Sequence, residues 1–156
     1  MRQVTVDVFA PSSITDAIKA LERVIDEEEQ KFDRHLQEVL EYGYELAKKN
    51  FEMYASGLGT GRLLDEIYFE YNPKTRTGRI VSGAPYTSYF EYGTGSVGQL
   101  NPHPDATGEW TYSTEGWWYT PDDGETFIWT YGQASKPFLW LTRMELQDRY
   151  GAQSRP

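Results

Sequence analysis

Three sets of residues in this chain have types and spacings that could do chemistry. The string GTGSVG at residues 93–98 matches the glycine fingerprint of dinucleotide-binding loops. That chemistry needs a strand before the glycines and a helix after them whose N-terminus receives the pyrophosphate. Here Gln99, Leu100, Asn101, Pro102, His103 and Pro104 follow, which predicts no such helix, so the glycines read as turn residues. Carboxylates stand beside aromatic rings in EWTYSTEGWWYTPDDGE, residues 109–125. Two acids could serve as acid and base on a glycosidic bond, but no spacing singles out a pair, and the acids read as a solvated face. Sugar binding without catalysis, a carbohydrate-binding module using Trp110, Trp117, Trp118 and Trp129, is the alternative function this segment supports. The third set is the two histidines. His35 falls between Phe32 and Leu36 on a helical stripe and reads as packed against neighbours, while His103 between two prolines reads as a loop residue. With no cysteine there is no disulfide, thiolate metal site or thiol nucleophile. No cofactor, no metal and no catalysis are expected.

The elements that must carry these residues are legible in the hydrophobic pattern. Val4, Val6 and Val8 alternate as a short strand. From residue 14 to about 55, Ile14, Ile18, Leu21, Ile25, Phe32, Leu36, Val39, Leu40, Leu46, Ala47 and Phe51 form one apolar stripe on a long helix. Asp26, Glu27, Glu28 and Glu29 interrupt the stripe and offer a place for a bend between two helices, and residues 56–59 (SGLG) stop it. Residues 64–83 predict a hairpin around NPKTRTG, and residues 117–120 and 126–131 a second strand pair around PDDG. Ser135 as cap and Pro137 in the first turn open a C-terminal helix over 135–150. The fold class is α+β: a long N-terminal helix packed on an antiparallel sheet, closed by a short C-terminal helix, with residues 1–156 as a single domain.

Charge narrows the function. The net charge is −9 over 156 residues, which argues against wrapping nucleic acid or resting on anionic lipid. No apolar run reaches the roughly 20 residues of a membrane span, and residues 1–13 lack the apolar stretch of a signal peptide, so no membrane partner and a cytoplasmic site of synthesis are expected. Between Arg79 and Lys136 there is no lysine or arginine, while Glu91, Asp105, Glu109, Glu115, Asp122, Asp123 and Glu125 all fall there. Residues 98–124 form an acidic aromatic insertion suited to contact, since Tyr and Trp bring much area at low entropic cost. Lys74, Arg76 and Arg79 are the one tight basic cluster and read as a solubilising hairpin tip.

Three ordered segments carry a resemblance. GTGRLLDEIYFEY (59–71), APYTSYFEYGTG (84–95) and GQASKPFL (132–139) together resemble the gene-product-ten-like family of long-tailed, siphovirus-type bacteriophages, the neck, head–tail joining or tail-completion proteins. Thr60, Gly61, Arg62 and Leu63 carry the first match, Tyr86, Glu91, Tyr92, Gly93 and Thr94 the second, and Pro137, Phe138 and Leu139 the third. Gly61 would serve a helix-to-strand turn and Gly93 a strand-to-loop turn. Arg62 and Glu91 are candidates for one pair tying two segments together, within or between subunits, and Phe138 with Leu139 would dock the last helix on the sheet. The resemblance implies a structural protein of the virion, made in the bacterial host cytoplasm, that forms a homo-oligomeric ring at the head–tail junction beside head-completion and tail-terminator or tail-tube proteins. DNA would pass through without specific binding, and Glu27, Glu28 and Glu29 are candidates for an acidic lumen.

Overall fold

Residues 11–55, 61–106, 111–120 and 124–151 are described by the structure, a computed structural model. The expected strand at residues 4–8, the stop at 56–59, Thr60 and Trp110 lie outside those residues. The architecture is α+β, with a long N-terminal helix, small antiparallel sheets and a short C-terminal helix.

Helix α1 runs from Pro11 to Ala55, 45 residues in one element and about 67 Å long at 1.5 Å per residue. The acidic run does not divide it into two helices. Glu28 accepts from Lys31 one turn on at 2.6 Å, and Arg76 from the hairpin reaches Glu29 at 2.6 Å and Asp33 at 3.4 Å, so like charges there are met by cations. Residues 61–65, expected to lead straight into a strand, form the short helix α2 (Gly61–Asp65), which drives Leu63 wholly into the core.

Strands β1 (Ile67–Asn72) and β2 (Thr77–Ser82) make the expected hairpin, in register from Ile67 opposite Ser82 to Asn72 opposite Thr77. The Asn72 carboxamide oxygen accepts the amides of Lys74 and Thr75 and so closes the turn. Helices α3 (Thr87–Tyr92) and α4 (Gly95–Leu100) follow. Strands β3 (Trp117–Tyr119) and β4 (Ile128–Thr130) pair with each other alone, so the expected single sheet is two separate two-stranded ribbons. The two-residue strand β5 (Gly132–Gln133) bridges back to Thr94 and Gly95. Helix α5 (Phe138–Tyr150) closes the chain, starting three residues after the expected Ser135.

The core gathers Ala47, Phe51, Leu63, Ile67, Ala84, Phe90 and Phe138. Its centre is a ring trio, with Phe51 5.0 Å from Phe90 and 5.3 Å from Phe138, and Phe90 5.9 Å from Phe138. The last helix therefore docks on α1 and α3, with Ile67 of β1 in the same core cluster. A buried polar link follows the same seam: Asn50 donates to Thr142, which in turn donates to the Phe138 carbonyl. Gly43 permits the approach, because a Cβ there would strike Ile80 and Leu146.

The α1 stripe divides. Leu40, Leu46, Ala47 and Phe51 are buried as the pattern predicts, whereas Ile14, Ile18, Leu21, Ile25 and Phe32 stand in water. The packed body covers the second half of the helix; the first half overhangs it.

Candidate functional site

Glu91 ends helix α3, where the Phe90 side of that helix faces the core and its neighbour turns toward the start of α5. It is 5% exposed, and among the described residues no lysine or arginine pairs with it. Instead three N–H groups converge on its carboxylate: Leu139 N at 3.0 Å, Trp140 N at 2.9 Å and His103 Nε2 at 3.2 Å. Two of these are orphan amides of the first turn of α5, where the positive end of the helix dipole lies. Glu91 thus supplies the capping carboxylate for a helix that begins far away in sequence and whose own N-cap residue, Pro137, offers no side-chain acceptor. Ser135, the expected cap, donates to the Glu91 carbonyl at 2.6 Å, and Lys136 N donates to the Phe90 carbonyl. Arg62 pairs one turn along with Glu66 at 2.8 Å and does not meet Glu91 within the chain.

His103 is 4% exposed, not a free loop residue. Its Nδ1 accepts the Asp105 amide at 3.0 Å, which leaves Nε2 to carry the proton toward Glu91. Tyr92 covers the imidazole with ring centroids 4.4 Å apart. An open hollow of about 500 Å³ lies over this pair, lined also by Ser82, Thr87, Asp105 and Arg143. Both imidazole nitrogens are engaged in hydrogen bonds within the chain. Among the described residues no group of three or more His, Asp or Glu could hold a metal ion.

The second and third resemblance segments meet here. Gly93 adopts φ 78°, and a Cβ on it would sit 2.6 Å from the Ser135 nitrogen, so it ends a helix, not a strand, and lets two chain segments touch. Thr94 Oγ1 accepts the Gln133 amide, and Gln133 donates to the Tyr89 carbonyl. Pro137 holds the cap position, Phe138 fills the core and Leu139 presents its amide to Glu91. Tyr86 packs half-buried against the core, where Leu63 brings in the first segment. Gly61 has no positive φ and open space around its Cα, so the turn expected of it is not what it supplies. Burial lowers the Lys136 pKa, its ammonium lying 4.8 Å over the Phe90 ring, and burial raises that of Tyr112, which donates to the Tyr92 carbonyl.

The glycine string has helix α3 before it and becomes the six-residue α4 itself, so it lacks the strand that a pyrophosphate loop requires. No family model, no curated protein and no solved structure matches this chain. Among the described residues no helix is long and apolar enough to cross a membrane.

The aromatic segment forms a second candidate surface. Trp118 and Trp129 are direct partners across β3 and β4, so they share one face, with ring centroids 5.4 Å apart at 67°. Tyr131 stands edge-on to Trp129, and Trp117 is half-buried on the other face. Of the acids proposed for a lumen, Glu28 and Glu29 are paired within the chain with Lys31 and Arg76. His35 is exposed and meets Tyr150 edge-on at 6.0 Å, in place of the packed site expected. Composition could not reveal Arg76, which holds φ 50° at the hairpin tip and anchors that tip to α1. A buried histidine was signalled only by its being the one potentially cationic side chain in a base-free interval.

Proposed function

We propose that this chain is a non-enzymatic virion structural protein that assembles as a ring at the phage head–tail junction. The observation that carries the proposal is the pair of separate apolar surfaces left in water on one small chain, along the first half of α1 and on β3–β4. Exposed patches of this kind mark association surfaces, and two different patches on one subunit favour head-to-tail contacts that close into rings. The ordered resemblance of residues 59–71, 84–95 and 132–139 supports the head–tail location. The use of Glu91 and His103 to lock a helix supports a scaffold in place of a catalyst. A net charge of −9 suits a ring through which DNA passes without sticking. The test is negative-stain imaging and native mass spectrometry of the purified chain, alone and with head-completion and tail-terminator proteins. Rings are expected; a chain that enters no ring with any of these partners rejects the proposal.

A second reading, a carbohydrate-binding module, rests on the half-exposed rings of Trp118 and Trp129. The two rings are steeply tilted and offer no flat platform for a sugar face. Saturable tryptophan quenching by a glycan would favour it over the ring.

A further inference from the structure

The β1–β2 hairpin leaves one edge unused. Among the described residues β1 pairs with β2 alone, and no other backbone group bonds to the backbone of Ile67–Asn72. Ile80 of β2 and Leu146 of α5 both approach Gly43, so the body flanks β2 and the far side of β1 faces out. Tyr68, Phe69 and Glu70 are all exposed. A strand in this position presents alternate N–H and C=O groups with which an extended segment can pair. The two sides of such a segment would meet different surroundings. On the α1 side Phe69 stands edge-on to Tyr44 at 6.0 Å and forms an apolar margin, while on the water side Glu70 pairs with Arg79.

Residues 3–8, QVTVDV, have the matching pattern, since Val4, Val6 and Val8 alternate with Thr5 and Asp7. This segment lies outside the described residues and joins α1 at Pro11. Its length keeps it from the edge of its own chain. Tyr71 bonds to Asp33 and Phe69 meets Tyr44, so β1 lies beside residues 33–44 of α1. Measured along the helix, Pro11 is about 33 Å from Asp33 and about 50 Å from Tyr44. Fully extended chain gains about 3.3 Å per residue, so Val4 stops about 23 Å from Pro11, short of the hairpin. We infer that residues 3–8 of one copy add as a strand to the free β1 edge of the next copy. The valines then face Phe69 and Tyr44, and Thr5 and Asp7 face water. The contact is head-to-tail and deepens the ring reading, on which it rests, by naming the segment and the edge that join.

The chain has no cysteine, so introduced thiols report single contacts. Full-length Val6→Cys and Glu70→Cys variants are mixed and treated with a short bismaleimide, whose reach absorbs the register. A product holding one copy of each variant is expected, with neither variant linking to itself. A chain carrying both changes separates the two ways of pairing. Linked multimers are expected from it, and a linked monomer that persists on dilution overturns the inference by showing that the segment meets its own edge. Val6→Pro, which removes an amide and resists a strand ladder, is expected to weaken assembly roughly tenfold or more in sedimentation velocity. Val4→Asp with Val8→Asp is expected to do the same, and circular dichroism checks that both variants keep the fold. Glu70→Cys linking to itself would mean edge-to-edge pairing of two hairpins, and no linked product would mean that the edge takes no such strand. Both outcomes reject the inference, as do rings that form undiminished in the proline variant, and all three leave the ring reading standing. A chain that forms no ring, alone or with head-completion and tail-terminator proteins, rejects both.

Discussion

Glu91 and Leu139, 48 positions apart, meet where the carboxylate of one accepts the amide hydrogen of the other at 3.0 Å. Trp140 and His103 supply two more donors to the same carboxylate. A buried charge is tolerated here because the dipole and orphan amides of a helix N-terminus do the work that a cation does elsewhere. The bond ties helix α3 to helix α5 and so decides where the chain closes.

Replacing Glu91 by alanine removes the acceptor from two helix amides and from His103 at once. Its expected cost is about 3–5 kcal/mol, seen as a lowered urea midpoint. Glu91→Gln keeps one acceptor oxygen but sets an NH₂ group against a donor, and is expected to cost roughly 2 kcal/mol. An unchanged midpoint in the alanine variant would show that water serves these amides as well.

Gly93 and Gly61 both belong to the resemblance segments, yet their substitutions separate. Gly93→Ala forces a Cβ to within 2.6 Å of the Ser135 nitrogen at φ 78°, and a loss of about 2 kcal/mol or more is expected. Gly61→Ala meets open space inside α2 and is expected to be neutral or to add up to about 1 kcal/mol. Chemical denaturation of the two variants side by side checks the contrast.

Phe138 is fully buried at the centre of the ring trio. Phe138→Ala is expected to cost about 3–5 kcal/mol, and Phe138→Leu clearly less, since the cavity is smaller. Equal losses in thermal melts would place the energy in something other than packing.

Tyr71 donates to Asp33 at 2.7 Å, and that hydrogen bond, aided by desolvation, raises its pKa above 10.0. The native chain therefore keeps the phenol proton where the unfolded chain begins to lose it. This stability is complete below pH 10.0 and is lost as pH rises through the raised native value. From about pH 9 to about pH 11 the melting temperature of the unaltered chain is expected to fall more steeply than that of Tyr71→Phe. Parallel slopes would remove Tyr71 from the alkaline transition.

Much of the architecture was legible because its signals are local. A stripe at helical spacing predicts α1, NPKTRTG between strand formers predicts the β1–β2 hairpin, and PDDG between aromatic runs predicts the β3–β4 pair. The base-free acidic interval is likewise a property of sequence alone. Tertiary structure decided which half of the α1 stripe is covered, since Leu40 and Ile18 occupy equivalent places in the pattern and only the first has a body beside it. It also gave Glu91 the α5 amides in place of Arg62, moved the cap away from Ser135 and buried His103. Those pairings span 12 to 49 positions, and residue type cannot choose among distant partners until the path of the chain brings one of them within 3 Å or so.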